Sequence, residues 1–321
     1  MIKASRDEII KEKEVRRKQI KELEYHANND LIHIGKISRG CRACFQRNGI
    51  DQFSVYTGVE CNANCGYCYY DVKRNDNNYG TKQKISDNLA NLYFQIMMSN
   101  GGLREISYNS LGETLMYPAV ISEASKMIKR YQEDYNIKVY SHLYTNGILA
   151  DNDMLDFLKD CEVTELRFHH SASNFSDKVL NNIKMAKEKG FVVTIEEPSL
   201  PENKDKIIEH LPIYNDIGIN HLDLVECQVT PDNYDYLNKT YPNGKMYRDI
   251  LWHLYDEGMV YDIIEEIIKN KYNFSIIDCN SRVEVCRKSE QINNNFNSNL
   301  DIENALTKDL NSKFEFDKIK I

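Results

Sequence analysis

The chain has 321 residues, 41% of them hydrophobic, and a formal net charge of −8. This length and apolar content predict one large or two ordinary domains, while the acidic balance argues against general binding to nucleic acid through phosphate contacts. No apolar run reaches the roughly 18–20 residues that cross a bilayer, and the charged N-terminus lacks a signal-peptide stretch, so the sequence predicts a cytoplasmic protein that binds neither nucleic acid nor membrane.

A strand–helix rhythm follows a charged N-terminal helix. Between the β-rich segments lie helical patterns, such as the apolar stripe Ile85, Leu89, Leu92 and Ile96, which ends at the Gly101-Gly102 pair. Seven strands with intervening helices predict an α/β fold with a parallel sheet, as a partial or complete (β/α) barrel. A flat doubly wound sheet is the alternative. The predicted strands lie in residues 52–58, 104–110, 138–147, 164–171, 191–197, 221–228 and 273–279.

The same pattern divides the chain into four predicted parts. The core, residues 51–230, is the barrel, and a helix–strand extension carrying Cys279 and Cys286 follows over residues 231–286. An N-terminal helix and the Cys41/Cys44 segment occupy residues 1–50. A polar, Asn-rich tail occupies residues 287–321.

Three cysteines, Cys61, Cys65 and Cys68, lie within eight residues just after the first predicted strand. Thiolates at this density favour soft metals and iron–sulfur clusters. Three ligands for a [4Fe–4S] cube leave one iron without a protein ligand, and that iron could bind an outside molecule and pass it an electron. The alternative is a zinc knuckle, which needs a fourth ligand close by.

The spacing C-x3-C-x2-C, with Tyr67 just before the last cysteine, resembles the signature of the radical S-adenosylmethionine (SAM) enzymes. The runs CRACFQRNGIDQFSVYTGVECNANCGYCYY, SHLYTNG, TELRFHH and VVTIEEPSLP resemble an uncharacterised branch related to pyruvate formate-lyase activating enzymes. The resemblance spans roughly residues 38–286. It implies a radical SAM barrel, a [4Fe–4S] cluster on the three cysteines, and SAM as cofactor or co-substrate.

Two further segments resemble segments found in the radical SAM enzymes. Residues 110–114 resemble the superfamily's Gly-Gly-Glu segment, whose backbone and acid meet the amino group of SAM, although Leu111 stands where the first glycine is expected. A helix-terminal acid stabilised by the helix dipole is the alternative for Glu113. The second segment, residues 145–147, is the Thr-Asn-Gly that ends the third strand. Together with neighbouring strand ends, these give the expected cofactor-binding set: Tyr67, Gly112, Glu113, Thr114, Asn146, Ser171 and Glu196.

Strand alternation selects the candidate catalytic residues. In the fourth strand, Leu166 and Phe168 should face the helices, so Arg167 and His169 should face the barrel interior. Arg167 could hold a carboxylate, and His169 could bind substrate or act as an acid or base. On the third strand, Tyr144 could donate hydrogen. A packed, satisfied polar pair is the alternative for Arg167 and His169.

Four remaining cysteines form two pairs in the sequence. Cys41 and Cys44 precede the first strand, whereas Cys279 and Cys286 end and follow the seventh. They could hold a second iron–sulfur cluster or zinc. Buried free cysteines are the alternative.

The predicted function is reductive cleavage of SAM to methionine and a 5′-deoxyadenosyl radical that abstracts hydrogen from a substrate. An interior carrying Arg167, Glu196 and Glu226 suggests a peptide or amino-acid-like small molecule with a carboxylate and an amine. An activating enzyme of a glycyl-radical enzyme is the second hypothesis, and a non-catalytic zinc-binding scaffold is a third, from another class. A barrel enzyme whose cysteine loop is a redox sensor is a further alternative. The resemblance implies a flavodoxin or ferredoxin as electron donor.

Overall fold

The computed structural model of the chain describes residues 1–26, 31–44, 52–70, 82–248 and 251–279. These residues form an α/β fold with a nine-stranded sheet and a separate four-stranded sheet. The strands are β1 (Ile2–Lys3), β2 (Glu24–His26), β3 (Leu31–Ile34), β4 (Gln52–Tyr56), β5 (Glu105–Asn109), β6 (Tyr140–Thr145), β7 (Glu165–Phe168), β8 (Val192–Pro198), β9 (His221–Val225), β10 (Gln228–Val229), β11 (Lys245–Arg248), β12 (Trp252–Leu254) and β13 (Ser275–Cys279). The helices are α1 (Arg6–Arg17), α2 (Lys82–Ser99), α3 (Pro118–Tyr135), α4 (Asn152–Asp160), α5 (Asp177–Glu188), α6 (Lys204–Ile217), α7 (Tyr234–Thr240) and α8 (Met259–Asn270).

The large sheet has the order β2-β3-β13-β9-β8-β7-β6-β5-β4, and its seven strands from β13 to β4 are parallel. From β4 to β9 the spatial order is the chain order, so each crossover steps in the same direction. Because such crossovers are right-handed, their helices fall on one face of the sheet, whereas a doubly wound sheet reverses its order and carries helices on both faces. In the described part of the chain β4 and β2 end the sheet, so the fold is a partial barrel.

The predicted elements are found at their expected places. Each of the seven predicted segments contains a parallel strand, and the helical stripes are buried in the core, as Leu92 and Ile96 are on α2 and Val179 and Ile183 on α5. Two boundaries differ. The sixth segment splits because β9 ends at Val225 and β10 joins the small sheet, and β13, expected in an extension outside the core, is a strand of the barrel sheet itself.

The segment before β4 crosses the interior face of the sheet. Ser38 donates to both carboxylate oxygens of Glu165, at 2.8 and 3.0 Å, and Cys41 Sγ lies 3.1 Å from Asp223 Oδ2. Gly40 lies against the same polar side chains, since a Cβ there would be 2.9 Å from Arg167 Nη2. Residues 38–41 therefore fill part of the barrel interior.

Helix α1 docks through buried charges. Lys13 forms an ion pair with Glu226, and both side chains are almost fully buried. Arg17 donates to the Tyr261 hydroxyl at 2.9 Å and lies 3.6 Å from Asp278. Glu226 follows the end of β9 and binds α1, so its predicted place in the barrel interior is wrong.

The small sheet has the order β1-β11-β12-β10 and encloses its own apolar cluster, which includes Leu237 of α7. Its first strand is the N-terminal β1, which pairs in parallel with β11. This sheet therefore joins the N-terminal strand to residues 228–254, late in the described chain. None of the helices in the described ranges has the length and apolarity needed to cross a membrane.

Candidate functional site

The three cysteines lie on one loop, residues 57–70, which we name the cysteine loop. It leaves the carboxyl end of β4, the edge at which α/β barrels gather their reactive groups. Cys61, Cys65 and Cys68 are all partly exposed free thiols. Burial raises the pKa of each thiol, that of Cys68 to about 12. Metal binding requires the thiolates, so a bound metal must release these protons.

The segment after β5 pairs with the cysteine loop. Leu111 and Glu113 donate their backbone N–H groups to Gly58 and Glu60 carbonyls, at 3.1 and 2.7 Å. A Cβ on Gly112 would lie 2.0 Å from the Glu60 carbonyl oxygen, so only glycine permits this approach. The predicted SAM-binding segment therefore holds the backbone immediately before Cys61.

Leu111, which departs from the glycine pattern, has an apolar environment. Its side chain is buried against Tyr70, with Tyr56, Val59 and Cys68 packed around the pair. The leucine therefore adds an apolar contact beneath the third cysteine.

Glu113 joins the ends of two strands. Its side chain is 2% exposed, and it accepts hydrogen bonds from Thr145 Oγ1 at 2.6 Å, the Asn146 N–H at 2.7 Å and the Leu115 N–H at 3.0 Å. Burial raises its pKa, and the donors oppose the shift. Thr114 beside it is also buried. Glu113 and Thr114 are thus engaged inside the protein, and Glu113 accepts protein donors where an amino group of SAM was expected.

Asn146 does reach the cysteine loop. Its Nδ2 donates to Asn62 Oδ1 at 2.7 Å and lies 3.8 Å from Cys61 Sγ. Its Oδ1 accepts from the Ile148 N–H at 3.0 Å, which fixes the amide orientation. The Thr-Asn-Gly segment therefore contacts the first cysteine directly.

Tyr67 and Ser171 connect the cysteine loop to β7, with 2.9 Å between their hydroxyl oxygens. Ser171 is held by Glu197, which accepts the N–H groups of Ser171 and His170 at 3.1 and 2.8 Å. Burial raises the pKa of Glu197 to about 8. The predicted cofactor-binding set names Glu196 and leaves out Glu197, although both lie at the end of the same predicted strand.

The small sheet covers the other side of the cysteine loop. The Asn233 side chain, fully buried, donates to the carbonyls of Tyr67 and Gln228 at 2.9 and 2.8 Å, and it accepts the Thr230 N–H at 2.8 Å. The Thr230 hydroxyl donates to the Tyr69 carbonyl at 2.8 Å. Nothing in the local sequence indicated these contacts, because they join residues more than 160 positions apart.

We expect Asn233→Ala to weaken this attachment. It leaves buried polar groups on the cysteine loop and on Thr230 without partners, which costs about 1–3 kcal/mol. Iron loss from the reconstituted protein to a chelator should become faster, measured by absorbance. Asn270→Ala, an exposed asparagine at the end of α8, is the matched control. Equal iron loss from both variants would contradict this role.

Arg167 faces the interior, as predicted, and is 2% exposed. Its Nη1 donates to Glu196 and Asp223 at 2.9 and 3.1 Å, and its Nε lies 3.0 Å from Glu165. Burial opposes ionisation of Glu165, but the charge of Arg167, the neighbouring His142 and the hydroxyl donors Tyr140 and Thr194 together outweigh it and lower that pKa to about 2. Burial raises the pKa of Asp223 to about 7, with Arg167 opposing and Glu196 reinforcing the shift. The guanidinium is therefore engaged by the protein's own carboxylates.

Tyr144 and His169 line the interior above this cluster. The Tyr144 ring lies 5.5 Å from the Arg167 guanidinium and 6.5 Å from the His169 ring. Both side chains are partly exposed, and burial lowers the pKa of His169, which favours the neutral imidazole. His170 next to it faces the helices, where its Nδ1 lies 2.8 Å from the Tyr214 hydroxyl of α6.

The second cysteine group is only partly covered by the described residues. Cys41 and Cys279 pack in one small apolar cluster with Ile37 and Ile277. Cys44 ends a 3₁₀ turn that begins at Arg39, and Cys286 lies outside the described residues, as does the polar tail predicted at 287–321.

Comparisons with known proteins concern the family and the fold. Residues 55–211 match the family described as the radical SAM superfamily. MJ0021 of Methanocaldococcus jannaschii, whose provisional name is glycyl-radical enzyme activating enzyme, is 21% identical over 216 residues. The match covers 64% of this chain and 54% of that protein. The chain thus spans about half the length of this curated relative.

Solved structures share the fold. Native anSMEcpe, solved with bound AdoMet, has a TM-score of 0.51 and 16% identity, with 70% of this chain and 63% of that chain covered. SuiB of Streptococcus suis, bound to S-adenosylmethionine, has a TM-score of 0.45 and 13% identity, with 70% and 46% covered. At these identities the likeness concerns the fold alone.

Proposed function

This chain carries a radical SAM domain over residues 55–211, and from that premise we propose an enzyme that cleaves SAM reductively at a [4Fe–4S] cluster and abstracts hydrogen from a peptide or amino-acid-like substrate. The observation that carries the proposal is the cysteine loop. Three thiols lie at the carboxyl edge of a parallel barrel and are fixed there by segments from three sides.

The donor set fits a cube with one open iron. The loop offers three thiols, and a cube spreads its protein ligands over separate corners. A single zinc ion would instead need four ligands that converge. Within the described residues, no three His, Cys, Asp or Glu side chains form a group suited to one metal ion. In the described part of the chain this favours the cluster over the zinc scaffold.

When bound, the cluster supplies the electron that splits SAM into methionine and a 5′-deoxyadenosyl radical. The chain's own residues fix the site around it. Gly112 permits the backbone pairing that positions Cys61, and Asn146 donates toward the Cys61 sulfur. Glu113, buried and fully engaged, is a positioning residue that holds Thr145 and Asn146.

The groups left to bind SAM and substrate are those at the rim of the interior. Tyr67, Tyr144, His169 and Glu196 are partly exposed there, and Ser171 lies beside Tyr67. Arg167 is surrounded by carboxylates, so it positions Glu196 and is a poor anchor for a substrate carboxylate. These side chains therefore support binding of a substrate amine better than binding of a substrate carboxylate.

An activating enzyme of a glycyl-radical enzyme is the second candidate, and the provisional name of MJ0021 favours it. In that case the hydrogen would come from a backbone glycine of a partner protein. Incubation of the reduced enzyme and SAM with a candidate partner, followed by electron paramagnetic resonance for a glycyl radical, distinguishes the two. Either reaction needs a one-electron donor, for which we propose a flavodoxin or ferredoxin.

The direct test is replacement of Cys61, Cys65 and Cys68 by Ala together. The wild-type protein, reconstituted anaerobically with iron and sulfide and then reduced, should release 5′-deoxyadenosine from SAM. The triple variant should lose this activity and the cluster absorbance near ~400 nm. Chromatography of the nucleoside products measures the first, and visible spectroscopy the second.

Cys161→Ala is the matched control, because Cys161 caps α4 away from the cysteine loop. Release of 5′-deoxyadenosine by the triple variant would refute the proposal, and zinc without iron or sulfide would favour the scaffold. Iron counting also tests a second cluster at Cys41, Cys44, Cys279 and Cys286: about four irons indicate one cube and about eight indicate two.

A further inference from the structure

The barrel interior contains two adjacent carboxylates that share one cation. Glu196 on β8 and Asp223 on β9 are direct partners in the parallel register, so their side chains lie side by side on the interior face. Both accept from Nη1 of Arg167, at 2.9 and 3.1 Å. One guanidinium therefore serves two carboxylates at a single nitrogen.

The other nitrogens of that guanidinium also lie against protein groups, although Nε is near a carboxylate without forming a hydrogen bond. Its Nε lies 3.0 Å from Glu165, and its Nη2 donates to Ser38 Oγ and lies 3.0 Å from Cys41 Sγ. Glu165 balances the guanidinium charge and is itself fully hydrogen-bonded. Three carboxylates thus face one cation. The cluster therefore has more negative than positive charge, and the surplus lies on Glu196 and Asp223.

A separate observation indicates a missing donor. Asp223 is 2% exposed, and its Oδ1 is buried with no hydrogen-bond partner in the parts of the chain that the structure describes. Its Oδ2 already receives Arg167 and Cys41. Buried carboxylate oxygens are rarely left unpaired, because the lost hydration is not replaced.

The pair also has a route toward the cysteine loop. The Glu196 side chain is 13% exposed, and His169 and Tyr144 beside Arg167 are partly exposed. Ser171 lies four positions after Arg167, in the turn that follows β7, and its hydroxyl contacts Tyr67 of the cysteine loop.

We propose that Glu196 and Asp223 bind a protonated alkylamine of the substrate. This deepens the proposed function and rests on it, because the amine would hold a reacting carbon between these carboxylates and the cysteine loop. An ammonium group offers three donors and no acceptor, so it can satisfy Asp223 Oδ1 and Glu196 together. Arg167 holds both carboxylates in place before the amine arrives.

The test is calorimetric titration of the full-length protein without SAM, so that it does not depend on turnover. The probes are acetyl-Ala-Lys-Ala-amide against its norleucine counterpart, and pentylamine against pentanol. Each amine should bind at least about tenfold more tightly than its neutral partner. The peptide pair and the free pair distinguish a peptide-borne amine from a small free amine.

Asp223→Asn should lower the ratio of amine affinity to neutral-probe affinity about tenfold, and Glu196→Gln should lower this ratio similarly. Glu209→Gln, an exposed carboxylate on α6, is the matched control and should leave it unchanged. If Asp223→Asn does not fold, the less buried Glu196→Gln decides. Equal binding of the amine and neutral probes, or an amine preference that survives in the folded variants, overturns the proposal. If the amine preference is absent but the wild-type protein cleaves SAM, the amine site is refuted and the proposed function stands. If the amine binds but SAM is not cleaved, the proposed function is refuted and the amine site stands.

Discussion

Gly112→Ala is expected to displace the cysteine loop and lower the cluster content of the reconstituted protein. The added methyl would lie 2.0 Å from the Glu60 carbonyl oxygen and 2.4 Å from that of Val59, which are backbone atoms that cannot rotate away. Overpacking of this kind costs about 1–3 kcal/mol, and a backbone neighbour puts this position near the upper end. Iron analysis and 5′-deoxyadenosine release measure the loss at the site, and urea unfolding measures the loss of stability.

Gly190→Ala supplies the control for general destabilisation. Gly190 has φ +78°, so alanine is strained there by about 1 kcal/mol, but its Cβ would be 4.0 Å from the nearest atom, Lys159 Nζ. That variant should lose stability and retain iron. If Gly112→Ala keeps wild-type iron content and activity, the pairing of residues 111–113 with the cysteine loop is not what positions Cys61.

Lys13→Met is expected to produce the largest loss of stability among the variants considered. Lys13 and Glu226 are almost fully buried partners. Burial raises the pKa of Glu226, but Lys13, His253 and the hydrogen bonds from Lys13 and Tyr247 together outweigh it and lower that pKa to about 2. Removing the lysine leaves a buried carboxylate without its ion-pair partner, although the Tyr247 hydroxyl still donates to it. Breaking a buried ion pair from one side costs about 3–5 kcal/mol, a large share of a typical total of about 5–15 kcal/mol. Urea unfolding measures it.

Two further variants define the cause. Lys11→Met, at an exposed position of the same helix, should change the free energy of unfolding by less than about 0.5 kcal/mol. Lys13→Met combined with Glu226→Leu should recover much of the stability, since the buried carboxylate that Lys13 neutralised is then absent as well. A double variant as unstable as the sum of its two single changes would show that the ion pair is not the reason α1 docks.

In the barrel interior, two predicted side-chain directions are correct and one is wrong. Arg167 and Glu196 face inward as expected, because side chains alternate along β7 and β8. Glu226 was also expected inward, but it lies three positions after the inward-facing Asp223 and past the end of β9 at Val225, so alternation along β9 does not bring it inward. The position instead meets Lys13, 213 residues earlier in the chain, which no local pattern could indicate.

The cysteine loop gives the same contrast. The number and spacing of its thiols indicated three protein ligands for a cluster, and the strand before it placed them at the reactive edge of the barrel. The groups that hold the loop were not predictable, since Tyr117 accepts the N–H groups of Val59 and Glu60, and Asn233 reaches it from the far end of the chain. The resemblance predicted a cofactor contact for Glu113, and it could not indicate the bonds from Thr145 and Asn146 that the side chain accepts.

By itself the sequence determined the order of strands and helices, the direction of side chains along each strand, and the set of three cysteines. These follow from local periodicity and spacing, which act over a few residues. Only the tertiary structure decided which polar groups satisfy one another, as Glu113 does with Thr145 and Arg167 with Glu196, and which polar atoms lack a hydrogen-bond partner in the described residues, as Asp223 Oδ1 does. That division exists because hydrogen-bond and charge partners in a barrel come from strands that are neighbours in space and far apart in sequence.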